Sequence, residues 1–482
     1  MKKLLTTIVI SLTLSACTTH ETPAGISSNS SLTTSSMSKP KNIIMVVGDG
    51  MGPAYTTAYR YFNDNPKTAL IEETVFDRHL VGMASTYPAR VSGYVTDSAA
   101  AATALATGVK SYNGAIGLDV DKNPVETVLE WAKKQGKKTG IVVTSQINHA
   151  TPASYLAHNE SRRNYNAIAD SYIDDGIKAD LYLGGGWQYY IRDDRNLVNE
   201  FKAAGFHYLD DFQKLNKLPQ QAPVLGLFGD IALPWALDDT DKLRLSTMTK
   251  AATKHLESYQ SAGTQSKETQ PKESQGYFLL VEASQVDWAG HSNDIASAMA
   301  EMTDLAKTML YLEHYVQNNP DTLVVLTADH STGGFTIAAN GKYEWNPEVL
   351  RTMIHSPEHI AKQLAKKEIT TKYASELLNF ELSQVEVKQL QQAKKQAFKE
   401  LATFNKLDKK QQLQQETKPN IDNSLYIAVK KLIDQRTNSG WTSVGHTAID
   451  VPVFAFGKGS EIFHGKIDNT DIAKKIFSLL GK

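Results

Sequence analysis

The chain has 482 residues, with 51 Lys and Arg against 52 Asp and Glu and a formal net charge of −1. A general nucleic-acid binder would carry a basic excess, so this balance argues against nucleic-acid-specific binding. A small anionic substrate is not excluded, because local charge decides its binding. The length allows one large domain or two to three smaller ones, and 41% hydrophobic residues support a packed core.

Lys2 and Lys3 precede an apolar run from Leu4 to Leu14, followed by Leu14-Ser15-Ala16-Cys17. The run is too short to span a bilayer and reads as the core of a signal peptide, residues 1–16. Cys17 is the only cysteine. LSAC resembles the lipobox of bacterial lipoproteins, which implies a lipid anchor on Cys17 and an exported protein. Thr18 rather than Asp follows it; by resemblance to Gram-negative sorting patterns, that favours the outer membrane. With no thiol left, an exported domain must rely on core packing and on metals. Residues 17–40 are Ser/Thr-rich and are expected to form a disordered tether. The folded domain is expected over 41–482.

Lys41 to Gly48 is an apolar run with a Gly stop, the pattern of a buried parallel strand. Similar runs follow at Thr139 to Thr144, Tyr277 to Val281 and Thr322 to Thr327. Helix-length segments such as Pro124 to Gln135 and Ile295 to Tyr315 lie between them. The alternation predicts an α/β three-layer sandwich around a mainly parallel sheet. The stretch Gln260 to Gln275 reads as a polar loop. Residues 341–438, rich in Lys, Gln and Glu, read as a helical surface insertion. Within Ser383 to Phe404 the residues Val387, Leu390, Ala397, Phe398 and Leu401 mark one helix face. The insertion is either a solvated excursion or a segment that packs on a second subunit or shields the site.

Sites in open α/β sheets form beyond the carboxyl ends of strands. Here those ends carry Asp49 in GDGMG, Glu282 followed by Asp287 and His291 in EASQVDWAGH, and Asp329-His330 in ADHSTGG. His446 stands in GWTSVGHTAIDVP, before the apolar segment Val451 to Gly457. Clustered carboxylates would repel one another unless cations lay between them. Carboxylate with imidazole suits zinc, and an oxygen-only set suits magnesium. A helical turn would place Asp287 and His291, four apart, on the same side. In VTDSAAAATALATG, Asp97-Ser98 opens a helix, either as a simple cap or as a place where free N–H groups favour a phosphate.

These motifs, with NHATPASYLAH, resemble those of the alkaline phosphatases, in that family's order, from Asn42 to about Gly457. The resemblance implies phosphate monoester hydrolysis through a phosphoserine on Ser98, with two zinc ions and one magnesium. It implies Asp287, His291 and His446 as ligands of the first zinc, and Asp49, Asp329 and His330 as ligands of the second. Asp49 would bridge to a magnesium held also by Thr151 and Glu282. Arg162 falls where the family has its phosphate-clamping arginine; Arg163 is the adjacent competitor, and the spacing from NHATPA favours Arg162. His149 and Trp288 stand where well-known enterobacterial members have Asp and Lys, a pair more like that of marine bacterial members. His149 is expected to act on magnesium through water. Trp288 is either a packing aromatic or the mark of looser product binding. A homodimer is the family expectation. A sulfatase would need Pro and Arg after the nucleophile, and alanines follow Ser98.

Overall fold

The computed structural model describes residues 39–258, 275–415 and 417–482. The signal segment, Cys17 and nearly all of the tether and of the polar loop lie outside the described residues. Pro40, placed by sequence in the tether, is buried, so the packed chain begins slightly earlier than expected. Among the described residues no helix is long and apolar enough to cross a membrane.

Ten strands form one sheet. In chain order the first eight are β1 (Asn42–Gly48), β2 (Leu80–Ser85), β3 (Lys138–Gln146), β4 (Leu181–Gly185), β5 (His207–Leu209), β6 (Val224–Leu227), β7 (Tyr277–Ala283) and β8 (Thr322–Thr327). The strands Val451–Gly457 and Gly465–Asp468 complete it. Across the sheet the order is Gly465–Asp468, β2, Val451–Gly457, β8, β1, β7, β3, β4, β6, β5. Val451–Gly457 runs antiparallel to both its neighbours, and every other pairing is parallel. The central strands β1, β7 and β8 are buried along their whole length, as continuous apolar runs covered by helices on both faces must be. This is the three-layer α/β architecture read from the sequence.

The expected helix over Pro124 to Gln135 starts later, at Val128. Pro124 instead bridges Leu118, and Thr127 caps the helix by accepting from the Glu130 N–H. The helix Ser98–Thr107 is buried at every position. Its alanines let it lie between the helices Ala150–Leu156 and Asn469–Leu479. It ends at Gly108, whose φ of 75° is a left-handed stop that suits glycine.

The region 341–438 folds into short and long helices. Ile421–Thr437 is its spine, packed on Pro357–Lys366 and Gln384–Phe404. Of the expected apolar face, Val387, Leu390 and Ala397 are buried, but Phe398 is exposed. Each residue turns about 100° around the axis, and that turn carries Phe398 from the buried face of Ala397 to solvent. The helices dock on the sheet-bearing part: Arg351 donates to the carbonyls of Tyr61 and Phe62, and the Tyr426 hydroxyl donates to Asp294 at 3.0 Å.

Candidate active site

The carboxyl ends of β1, β7 and β8, which are neighbours in the sheet, deliver Asp49, Glu282 and Asp329-His330 to one place. The helix Gln285–His291 follows β7 and brings Asp287 and His291 round together, with His291 Nε2 3.4 Å from Asp287 Oδ2. His446 arrives by a short antiparallel pairing of His446–Thr447 with Ser331–Thr332, in which His446 faces Thr332. Ser98 opens the alanine helix, and its Oγ lies 3.1 Å from His330 Nε2. The site residues proposed from sequence thus converge, and three groupings emerge within the cluster.

In the first grouping, Asp287 Oδ1 is 3.7 Å from His446 Nε2, and His291 Nε2 is 3.0 Å from His446 Nε2. Nδ1–H of His291 donates to the Val444 carbonyl at 2.6 Å, and Nδ1–H of His446 donates to the Thr96 carbonyl at 2.9 Å. A carbonyl cannot donate, so these bonds commit both Nδ1 atoms as donors and turn both Nε2 atoms to one point. Two ring nitrogens at that distance are held together by a shared proton or by a metal ion between them.

In the second grouping, His330 Nε2 lies 3.4 Å from Asp49 Oδ1 and 3.2 Å from Asp329 Oδ2. The Thr332 hydroxyl donates to Asp287 and lies 3.2 Å from His330 Nδ1. With its proton committed to Asp287, it accepts from Nδ1–H, which turns Nε2 toward Ser98 and the carboxylates. Gly50 N–H donates to Asp329 Oδ1 at 3.1 Å.

The third grouping joins Asp49, Glu282 and His149, with ligand atoms within 4.8 Å of one another. The buried Thr151 hydroxyl, which lacks a hydrogen-bond partner of good geometry, adjoins Glu282. Both carboxylate oxygens of Asp49 and of Glu282 are buried and lack such partners, as does Asp329 Oδ2. Orphaned acceptors of this number are costly to bury unless cations occupy the space between them. The donor set therefore fits metals: nitrogen and oxygen in the first two groupings, mostly oxygen in the third.

The electrostatics follow. Burial, then the charges of Asp329, Asp287 and Glu282, raise the Asp49 carboxyl well above its usual range. Burial pushes Glu282 up to about 7, against the polar influence of the neighbouring Ser284 and Thr151 hydroxyls. Burial alone would raise Asp287 too, but hydrogen bonding to His291 and the charge of His330 hold it below the usual carboxylate range. Burial and His330 lower His446 to about 4, so its imidazole stays neutral, the form that ligates metals.

Arg162, and not the exposed Arg163, enters the site. Its Nη1 donates to Asp97 Oδ2 at 3.2 Å and its Nη2 donates to His149 Nε2 at 3.3 Å. Burial and the Arg162 charge push His149 down to about 3, so it stays neutral beside the guanidinium. Trp288 meets the His149 ring edge-on, with centroids 5.9 Å apart. Sequence reading missed two positioning groups, Thr332 and the Asp97–Arg162 pair. Thr332 lies within the ADHSTGG motif, so a hydroxyl two residues after His330 was its only signal.

A nucleophile-type serine at a helix N-terminus, beside buried carboxylates and imidazoles at the strand ends of a three-layer α/β fold, defines the class: a hydrolase whose donor set suits metal ions. The alkaline phosphatase family profile matches residues 40–481, and the chain belongs to that family. It is 44% identical to alkaline phosphatase 3 of Bacillus subtilis (strain 168) over 91% of this chain and 89% of that protein. It superposes on the cold-active alkaline phosphatase of the psychrophile Shewanella sp. with a TM-score of 0.79 and 46% identity, covering 92% of this chain and 100% of that one. A mutant of the TAB5 alkaline phosphatase, solved with Mg bound in its M3 site, matches with a TM-score of 0.63 and 25% identity, covering 92% and 99%.

Proposed function

We propose that the protein hydrolyses phosphate monoesters to alcohol and inorganic phosphate through a phosphoserine on Ser98. The observation that carries this reading is the clustering of the Nε2 atoms of His291, His330 and His446 with the orphaned carboxylate oxygens of Asp49, Glu282 and Asp329 at the strand ends, with the Ser98 hydroxyl 3.1 Å from His330 Nε2. Asp287, His291 and His446 would hold one zinc, and Asp49, Asp329 and His330 a second. Asp49, Glu282 and Thr151 would hold a magnesium, with His149 beside it. These ions, when bound, supply Lewis acidity that lowers hydroxyl and water pKa values and stabilises negative charge on departing oxygens.

The chain's own groups do the rest. Ser98 Oγ is held at a helix N-terminus, where free N–H groups favour the phosphoryl oxygens. It gives up its proton to water and attacks phosphorus as the ester oxygen leaves on the opposite side and takes a proton from water; a water then breaks the Oγ–phosphorus bond, releasing phosphate and restoring the Ser98 hydroxyl. Arg162 offers a planar fork to two phosphoryl oxygens, a geometry lysine lacks. Asp97 orients that fork. Trp288 in place of a lysine removes one cationic contact to phosphate, which favours faster product release. The lipobox-like LSAC supports export and a lipid anchor on Cys17 at the outer membrane. Family membership supports a homodimer, and an exported phosphatase of broad specificity fits phosphate scavenging.

The test is hydrolysis of a chromogenic phosphate monoester, alongside a sulfate ester and a phosphodiester, with metal content measured in parallel. The parent is expected to prefer the monoester, and Ser98→Ala to lose at least about a thousandfold in kcat, since a covalent route has no substitute nucleophile. A Ser98→Ala enzyme with full activity would sink the phosphoserine. A zinc-loaded parent inert toward the monoester at alkaline pH would sink the activity itself.

A further inference from the structure

A second set of ligand-type side chains lies outside the active site, where the helical region meets the sheet-bearing part. Asp238 is on the loop before the helix Arg244–Ser258. His355 and His359 flank Ser356, the N-cap of the helix Pro357–Lys366. One donor atom from each of the three lies within 4.8 Å of the other two. His355 Nδ1 is 3.8 Å from Asp238 Oδ1, and the two imidazoles stack with centroids 4.3 Å apart and planes 14° from parallel.

The carboxylate is already oriented. Ser356 N–H donates to Asp238 Oδ1 at 2.9 Å and the Ser356 hydroxyl donates to Oδ2 at 2.5 Å. Each oxygen keeps a second lone pair, so these bonds position the carboxylate without consuming it. The nearby ammonium groups are engaged elsewhere: Lys242 donates to the Leu237 carbonyl and Lys362 to Glu358. Burial and the neighbouring His359 lower the His355 pKa, which keeps that ring neutral. Two imidazoles and one carboxylate, all only partly buried, offer three ligands and leave further positions to water. That donor set suits zinc and disfavours magnesium or calcium, which prefer all-oxygen shells.

We propose that Asp238, His355 and His359 bind one zinc-type divalent cation, separate from the cluster around Ser98, that fastens the helical region to the sheet-bearing part of the molecule. The setting gives this fastening a use. A cavity of about 350 Å³ joins Asp238 and His359 to Gln285 and Trp288, on the helix that carries Asp287 and His291. The Trp235 indole also donates to Glu358 across the same junction, at 2.8 Å.

The experiment equilibrates the full chain with buffered zinc, removes unbound metal and counts zinc per chain by mass spectrometry. The parent is expected to retain about one zinc more than His355→Ala, His359→Gln or Asp238→Asn. All three variants are expected to keep phosphatase activity. Asp238→Asn can still accept from Ser356 and so preserves the local fold, and circular dichroism with activity reports on folding of the other two. Zinc should raise the melting temperature of the parent by more than that of each variant. Equal zinc content in the parent and a folded, active Asp238→Asn overturns the proposal. The comparison is a difference between variants, so it stands or falls independently of how many ions the Ser98 cluster holds.

Discussion

Asp97 serves two elements with one carboxylate. Its Oδ1 accepts from the N–H groups of Ala100 and Gly114, each at 3.0 Å, which caps the alanine helix and ties down the Gly114 turn. Its Oδ2 takes the Arg162 guanidinium. Asp97→Ala therefore loses the cap, a cost of about 1 kcal/mol, and frees Arg162 from one of its two partners. The expected kinetic signature is a KM raised by roughly tenfold with a smaller fall in kcat, because a loosened fork binds phosphate less well. Asp97→Asn keeps an acceptor for Ala100 and should lie between the two. Steady-state kinetics with thermal melts on both variants would check this; a stability loss with unchanged KM would reduce Asp97 to a cap. The helix-start role of Asp97 was legible because capping is local in sequence. Its pairing with Arg162 was not, because 65 residues separate them and the contact exists only once the helix N-terminus and the 158–164 loop meet. The strand-end ligands were legible for the opposite reason: a charged residue closing an apolar run is conspicuous wherever the chain later goes.

At the scale of elements, what could be read was what the core dictates. Runs such as β1, β7 and β8 stand out because both faces are buried, so no polar residue interrupts them. β2 and Gly465–Asp468, near the sheet margin, are half exposed and carry no such pattern; β5 has three residues, too few for any period. The helix Val128–Lys134 shows a device that sequence spacing only hints at. Glu130 closes the capping box on Thr127 and also binds His158 Nε2 at 3.1 Å and Lys178 Nζ at 2.9 Å. Burial would raise its pKa, but hydrogen bonding to His158 and the charge of Lys178 outweigh it and pull the carboxyl down to about 2 from its ordinary 4.5. A depressed folded-state pKa contributes stability that is present above the unfolded value and lost as pH falls through the folded one. Glu130 is thus expected to stabilise the fold at neutral pH by on the order of 2 kcal/mol after allowance for solvent screening. That contribution should fade between about pH 4.5 and pH 2. Denaturant midpoints of the parent and Glu130→Gln across this range would show a gap that closes on acidification; a gap independent of pH would rule the linkage out.

For the whole molecule, the question is what holds the strand ends of a disulfide-free domain together. The core gathers the sheet, yet at the centre of its carboxyl edge Asp49, Glu282 and Asp329 bury oxygens that no protein group satisfies. In a metal-free chain this point would repel, so the cations proposed for the site would act as fasteners between β1, β7 and β8 when bound. Each site kept about a hundredfold above its dissociation constant contributes about 2.7 kcal/mol to folding. Chelation is expected to lower the melting temperature by about 10 °C or more, reversibly on return of zinc and magnesium. Simple loss of a ligand-binding loop would also give a fall, so the sign of a second substitution is the sharper check. Asp49→Asn removes one buried charge facing Asp329 and Glu282, two of the groups that raise its pKa. The variant should therefore be more stable than the parent when both are stripped of metal, and less stable when both are loaded, because asparagine bridges cations poorly. Calorimetry of both proteins with and without chelator supplies the four values required. If Asp49→Asn is less stable than the parent in both states, Asp49 is held by ordinary packing rather than by cations, and the fastening role falls with it.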